Sequence, residues 1–266
     1  MADLCTGIQG EALPASDQHI LALRRQLLLG FCQAMEAAGI AYVILAGYQG
    51  YPDRIESDVD FMVTEDDFAR LPALFNRPDF LPGAGLLQAL QHETTACYYV
   101  MAQQSGDRLA FLHPDAAASY RRGGRLWLRS ADVLRGRRRH DAGFWVPAVA
   151  VEFEYYLVKR IDKRLLEPRH LAALARLIED DSAGCEAVMR RLLPPTLAGQ
   201  AAEAIARLDT DWFAQHRTAL QAALAGTAYR ETGWHRLRNR LADLGRQWQR
   251  LRQPTGLVLG VLGPDG

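Results

Sequence analysis

The chain has 266 residues, of which 49% are hydrophobic and 23% charged, and its 31 basic residues are balanced by 31 acidic residues. This composition is typical of a globular protein with a core of its own, and the length allows one large domain or two ordinary ones. Because the net charge is zero, nothing global indicates nucleic acid or an anionic membrane as a partner, and we expect neither.

The cysteines and the N-terminus indicate the compartment. The four cysteines lie far apart and show no metal-binding spacing: Cys5, Cys32, Cys97 and Cys185. Such a pattern is typical of reduced thiols in the cytoplasm. The first 18 residues lack the basic and apolar regions of a signal peptide. No apolar run approaches the roughly 20 residues that a membrane span needs. We therefore expect a cytoplasmic protein.

The N-terminal half of the sequence alternates between helical and strand patterns. Apolar residues at helical spacing, a glycine after the last of them and acidic residues in a first turn indicate the helices, and short β-branched or aromatic runs indicate the strands. The predicted elements are a helix from Ser16 or Asp17 to Gly39, strands over 41–47 and 57–63, a helix over 65–75, a hairpin over 96–103 and 108–115, and a short strand over 144–147.

Beyond Pro147 the pattern becomes almost entirely helical. Segment 149–166 has helical periodicity, and it places Lys159 and Lys163 four residues apart on one face. Further helices are predicted over 168–180, 183–192, 195–226 with a break near Asp209, and 229–252. The sequence therefore predicts the α+β class, with an α+β domain over 1–146 and an all-helical domain over 147–252.

Arginine is concentrated in two segments in the middle of the chain, RRGGR (121–125) and RGRRR (135–139). We interpret them as a solvated basic face. The alternative is an anion-binding rim that would suit a phosphate-bearing substrate, since guanidinium groups match phosphate geometry.

The segment SDVDFMV (57–63) places Asp58 and Asp60 on either side of one valine. Residues two apart on a strand point to the same face, so the two carboxylates lie side by side. Like charges so placed repel each other and shift each other's pKa unless a cation lies between them. Either this face is fully solvated, or it holds a metal ion.

The surrounding block, AYVILAGYQGYPDRIESDVDFMV (41–63), runs from a strand through a glycine turn and an eleven-residue step between Gly47 and Asp58 to the strand with Asp-x-Asp. It resembles the signature of the DNA polymerase β-like nucleotidyltransferase superfamily. The resemblance implies a nucleotidyltransferase fold with a small mixed β-sheet, and a two-metal Mg²⁺ site held by Asp58, Asp60 and a third carboxylate from a later strand. Asp115 is the best match for the third, with Asp107 as the alternative; a turn or cap role for Asp115 is equally open.

The resemblance also implies the nucleotide-binding residues. Gly47 would let backbone N–H groups approach the triphosphate, and Ser57 belongs to the same set. Tyr48 stands where the superfamily typically has Gly or Ser; its ring could stack or hydrogen-bond, or could mean that triphosphate is no longer bound. Lys159 and Lys163 are candidates for phosphate contacts, the alternative being solvated lysines paired with acidic neighbours. His113 is left out of the catalytic set, because a lone strand histidine is more often structural.

The chain closes with PTGLVLGVLGPDG (254–266), an apolar strand that runs into Gly-Pro-Asp-Gly. This ending resembles the opening of a thymidylate kinase-like P-loop domain. We therefore expect 253–266 to be a linker and the first strand of a truncated kinase-like domain, fused in a larger bifunctional protein. The alternative is a glycine-rich tail.

Two functions follow from these residues. The first is a metal-dependent nucleotidyltransferase that moves a nucleoside monophosphate from NTP to a hydroxyl of a small molecule or sugar. The second is a catalytically inactive nucleotidyltransferase-fold module that senses ligand for a fused kinase domain. The intact Asp-Val-Asp favours the enzyme, whereas Tyr48 and the two alternatives for the third carboxylate favour the sensor.

Overall fold

The computed structural model describes residues 15–55, 57–122, 125–163, 166–229, 241, 244, 245 and 248. The helices are α1 (Ala15–Ala37), α2 (Glu65–Phe75), α3 (Ser130–Leu134), α4 (Val149–Lys163), α5 (Pro168–Asp180), α6 (Ser182–Leu192), α7 (Pro195–Ala206), α8 (Thr210–Gln215) and α9 (Arg217–Thr227). The strands are β1 (Tyr42–Ile44), β2 (Val59–Val63), β3 (Ala84–Glu93), β4 (Ala96–Ser105), β5 (Arg108–Leu112), β6 (Pro114–Ala117), β7 (Ser119–Arg122), β8 (Arg125–Arg129), β9 (Arg138–Arg139) and β10 (Trp145–Val146).

The main sheet is mixed. Its order is β1-β2-β6-β4-β3, with β5 also paired to β4. β2 and β6 are parallel, and the other pairs are antiparallel. This small mixed sheet, followed by a helical C-terminal half, confirms the predicted α+β class.

The predicted hairpin is confirmed, with a break near its end. Gly106, at φ +61°, lies in the turn between β4 and β5. The pairs Met101 with Leu112 and Tyr98 with Asp115 keep one register, so β5 and β6 continue one another along β4. The ladder is interrupted before Pro114, which has no N–H to donate. Beyond the break the strand also pairs with β2.

One face of the sheet packs against α1 and α2. Its buried aromatic side chains meet edge to face or tilted, with ring centroids 4.8–5.6 Å apart for Phe31–Phe61, Phe31–Phe75 and Phe75–Tyr99. The opposite face is covered over β1 and β2, where Val43 and Met62 pack with Tyr155 of α4. Over β3 and β5 the structure leaves apolar side chains exposed: Leu87, Leu109 and Phe111.

The C-terminal helices share a second cluster of buried side chains, which runs from Phe153 to Leu224. The predicted helices over 149–166, 168–180 and 183–192 are confirmed as α4, α5 and α6. The predicted break near Asp209 is also confirmed, since the Asp209 carboxylate accepts a hydrogen bond from the Trp212 N–H and caps α8. A second break follows at His216. The domain boundary at 146/147 stays a prediction.

Four strands, β3, β7, β8 and β9, were not predicted. β3, with sequence AGLLQALQHE, is rich in helix-favouring residues, and β7 and β8 form a hairpin around the arginine-rich segment 121–125. The predicted helix over 229–252 falls almost wholly outside the described residues, and 253–266 lies outside them altogether.

Of the cysteines, Cys32, Cys97 and Cys185 are buried free thiols, and Cys5 lies outside the described part of the chain. Within the described part of the chain, no helix is both long and apolar enough to cross a membrane.

Candidate active site

The two strands that carry the predicted carboxylates lie side by side. β2 and β6 pair in parallel, and their register sets Asp60 directly opposite Asp115. Paired residues of neighbouring strands point to the same face of a sheet. The structure therefore brings together two carboxylates that are 55 residues apart in sequence (115 − 60).

Both carboxylates line a cavity between the sheet, α4 and the β7–β8 hairpin. It encloses about 560 Å³ of space, including its opening to solvent. Acidic, basic and aromatic side chains from five elements or turns converge on it, and its lining residues include Asp60, Asp115, His92, Glu93, Tyr120, Arg121, Tyr155, Lys159 and Lys163. The two lysines predicted for phosphate contact thus reach the same cavity as the carboxylates.

Helix α4 supplies the two lysines of the cavity. Tyr155, Lys159 and Lys163 recur every four residues and so share one helix face. The Lys159 Nζ lies 2.7 Å from Asp60 Oδ2 and donates to the Tyr155 hydroxyl at 2.8 Å. Only 12% of the Lys159 side chain is exposed, so this ion pair is screened less than a surface pair.

Asp115 is in an unfavourable position for a negative charge. Burial is the main cause that raises its pKa to about 6, and the neighbouring Asp60 and Asp58 carboxylates raise it further, while His92 and Lys159 oppose the shift. His92 Nε2 lies 3.8 Å from Asp115 Oδ1, which is beyond hydrogen-bond distance. Within the described residues, Asp115 Oδ1 is buried and has no hydrogen-bond partner. A buried carboxylate oxygen in this state is suited to a bound cation or proton donor.

Asp58 lies at the edge of this group. Half of its side chain is exposed, and its Oδ1 lies 3.8 Å from His113 Nδ1. Ser57 is also exposed. Within the described ranges, no three His, Cys, Asp or Glu side chains are already gathered as metal ligands. A three-carboxylate site therefore requires the Asp58 side chain to turn towards Asp60 and Asp115.

Gly47 and Tyr48 follow β1 but face different surroundings. Gly47 has φ +80° and is exposed, with open space where a Cβ would be. Tyr48 is 5% exposed and turns inwards. Its hydroxyl donates to Glu152 Oε2 and accepts from Arg138 Nη2 at 3.0 Å. The structure thus places Tyr48 in a buried polar contact with α4, and it is not among the cavity-lining residues.

Sequence reasoning missed several side chains of the cavity. Tyr155 could have been found from its four-residue spacing to Lys159. Arg121, from RRGGR, lines the cavity, which matches the anion-binding alternative for that segment. His92 and Glu93 lie at the end of the unpredicted strand β3, so no local pattern pointed to them.

No family model matches the chain, and no curated protein matches it in sequence. Among solved structures, JHP933 from Helicobacter pylori is similar with a TM-score of 0.43 and 12% identity, covering 91% of this chain and 100% of that chain. A second H. pylori structure, named as a candidate nucleotidyltransferase, has a TM-score of 0.32 and 10% identity, covering 79% and 98% of the two chains. Both similarities are too distant to assign a family or an activity to this chain.

Proposed function

We propose that the protein is a metal-dependent nucleotidyltransferase that moves a nucleoside monophosphate from NTP to a hydroxyl group of a small molecule or sugar. The observation that carries the proposal is the pairing of Asp60 with Asp115 at a cavity that also receives Lys159 and Lys163. Paired carboxylates are suited to divalent cations, and clustered cations are suited to the phosphates of a nucleotide.

The donor set fits a hard divalent cation such as Mg²⁺. Asp60 and Asp115 would hold it, and Asp58 would join them by turning its exposed side chain. Asp115 Oδ1 supports this assignment, because within the described residues it is buried and accepts no hydrogen bond, and such an oxygen gains from a bound cation. When bound, the metal would polarise the phosphate and offset the negative charge of the three carboxylates.

The cavity's own residues would divide the remaining tasks. Lys159, Lys163 and Arg121 would bind the phosphate oxygens, and the open backbone at Gly47 would allow close approach of the triphosphate. The acceptor oxygen forms a bond to the α-phosphorus, the bond from that phosphorus to the bridging oxygen breaks, and pyrophosphate leaves. The hydroxyl proton would pass to the Asp115 carboxylate.

The test is Mg²⁺-dependent release of pyrophosphate from each of the four NTPs in the presence of sugar and small-molecule hydroxyl acceptors. We expect Asp60→Asn and Asp115→Asn to lower the rate at least 100-fold, on the order of what the loss of one well-placed electrostatic group costs. Asp107→Asn is the matched control, because Asp107 lies in the β4–β5 turn. Equal rates in wild type, Asp60→Asn and Asp115→Asn would contradict the proposal.

The sensor function is the second candidate, and it is favoured by one observation. Tyr48 lies where the nucleotidyltransferase superfamily that the sequence resembles has a small phosphate-contacting residue. Its hydroxyl donates a hydrogen bond to Glu152. A sensor would bind NTP with Mg²⁺ in calorimetry but release no pyrophosphate with any acceptor. Turnover that depends on Asp60 would exclude it.

We also propose a cytoplasmic location, supported by the three buried free thiols. Fusion to a P-loop kinase domain stays a prediction from sequence.

A further inference from the structure

An aromatic row lies on the sheet face beside the carboxylates. We define it as Tyr98, Phe111 and His113. The ring centroids of Tyr98 and His113 are 5.8 Å apart with an interplanar angle of 36°, and those of Phe111 and His113 are 6.4 Å apart with an angle of 31°. Both pairs of neighbouring rings are therefore tilted relative to each other. The row is a continuous run of aromatic rings along this face of the sheet.

The row is on the same face as the carboxylates and reaches them. Tyr98 of β4 pairs directly with Asp115 of β6, and Phe111 pairs with Ala102, four residues further along β4. At the near end of the row, His113 Nδ1 lies 3.8 Å from Asp58 Oδ1. The row is thus continuous with the site already described.

The surface of the row is accessible. Phe111 is 37% exposed, and 34% of the His113 side chain is exposed. Large aromatic side chains are usually buried in protein cores. Because Phe111 and His113 are partly exposed next to the carboxylates, they form a candidate ligand-binding surface.

The row lies on one side of Asp60 and Asp115, and the cavity lined by Lys159 and Lys163 lies on the other side. Along β2 and β6, the cavity continues from Asp60 and Asp115 to Met62 and Ala117. Asp58 lies just before the start of β2, in the direction of His113 and the row. In an in-line displacement the attacking and leaving oxygens are on opposite sides of the phosphorus. If pyrophosphate leaves towards the lysines, the acceptor approaches from the aromatic row.

We propose that the aromatic row binds the acceptor, and that this acceptor carries its reactive hydroxyl on a flat ring. The inference rests on the proposed function. The C–H face of a pyranose and the face of an aryl ring both pack flat on aromatic side chains, so the shared chemistry is a ring with an apolar face and a hydroxyl at its edge. The hydroxyl then lies towards Asp58 and Asp115 while the ring lies on Phe111 and His113.

The experiment uses the full chain and three probes: methyl β-glucopyranoside, 4-methylphenol and the open-chain polyol sorbitol. Saturation-transfer NMR measures their binding, and calorimetry measures NTP binding with Mg²⁺. We expect at least one ring probe to bind, sorbitol not to bind, and Phe111→Leu to weaken the ring probe about tenfold, as the loss of one aromatic contact does. The probe that binds separates a sugar from an aryl acceptor.

Leu87→Ala is the control, because Leu87 is an exposed apolar residue of β3 outside the row; it should leave ring binding unchanged. His113→Leu gives a second test if Phe111→Leu lowers the melting temperature. Ring binding that is indifferent to both row variants, weaker NTP binding in Phe111→Leu, or a change in oligomeric state with it would each overturn the inference. If wild type binds a ring probe in a Phe111-dependent way but releases no pyrophosphate, the proposed function is wrong and the row is a ring-binding site without that activity.

Discussion

Replacing Glu152 by glutamine should remove a pH-dependent cost to folding. Glu152 is 1% exposed, at the start of α4, and its pKa is raised from an ordinary 4.5 to about 7, chiefly by burial. The nearest guanidinium nitrogen of Arg138 is 3.7 Å from Oε2, and that side chain is 44% exposed, so it compensates only in part. The hydroxyl of Tyr48 supplies the hydrogen bond.

The magnitude follows from the size of the shift. One pKa unit corresponds to about 1.4 kcal/mol, so a shift from 4.5 to about 7 makes the ionised Glu152 cost about 3 kcal/mol in the folded state. The folded pKa is above the unfolded one, so the folded state holds the proton longer. The contribution of Glu152 to the free energy of unfolding is therefore fully present below pH 4.5 and is lost as the pH rises through about 7. Glutamine keeps an acceptor for Tyr48 without the charge.

The assay is urea unfolding of wild type and Glu152→Gln at pH 5, 6, 7 and 8. We expect the free energy of unfolding of the variant, minus that of wild type, to rise by about 2.5 kcal/mol between pH 5 and pH 8, since a small part of the cost is already present at pH 5. Glu203→Gln is the matched control, because the Glu203 side chain is 70% exposed. The difference in free energy of unfolding between this variant and wild type should not change with pH. A flat difference for Glu152→Gln, or one that falls with pH, would refute the reasoning.

Three further predictions concern single side chains. Lys159→Met should raise the NTP concentration for half-maximal pyrophosphate release about tenfold, since it removes a charged donor from the cavity; an unchanged value would contradict this. Gly47→Ala should cost about 1–2 kcal/mol in urea unfolding, because φ is +80° there, whereas Gly85→Ala, with equal open space and no positive φ, should not. His170 is buried and its pKa is lowered from 6.5 to about 4, so its contribution to stability is complete above pH 6.5 and declines towards pH 4; this decline, seen by urea unfolding, should be absent in His170→Gln.

Much of the fold could be predicted locally, because its signals lie within a few residues of one another. The helix periodicity of α4 and the acids in the first turn of α2 follow from nearest neighbours along the chain. The spacing of Asp58 and Asp60 predicted that both lie on one strand face, but β2 begins at Val59, so only Asp60 of the two lies within the strand. Strand β3 was not predictable in this way, because its leucines, glutamines and alanines favour helix and only pairing with β4 holds it extended.

The site itself depends on contacts between distant segments. Sequence reasoning named Asp115 and Lys159 as candidates, but only the register of β6 on β2 sets Asp115 beside Asp60, and only the packing of α4 on the sheet brings Lys159 to Asp60. Likewise, nothing local indicated that Tyr48 would turn to Glu152.

By itself, then, the sequence determined which residues carry charge, which segments form most of the helices and strands, and the α+β class. Tertiary structure alone decided which carboxylates meet, which tyrosine is buried, and that Phe111 lies open beside the site. The physical reason is that periodicity and capping act over a few residues, whereas strand register and helix packing are set by burying apolar surface among segments far apart in the chain.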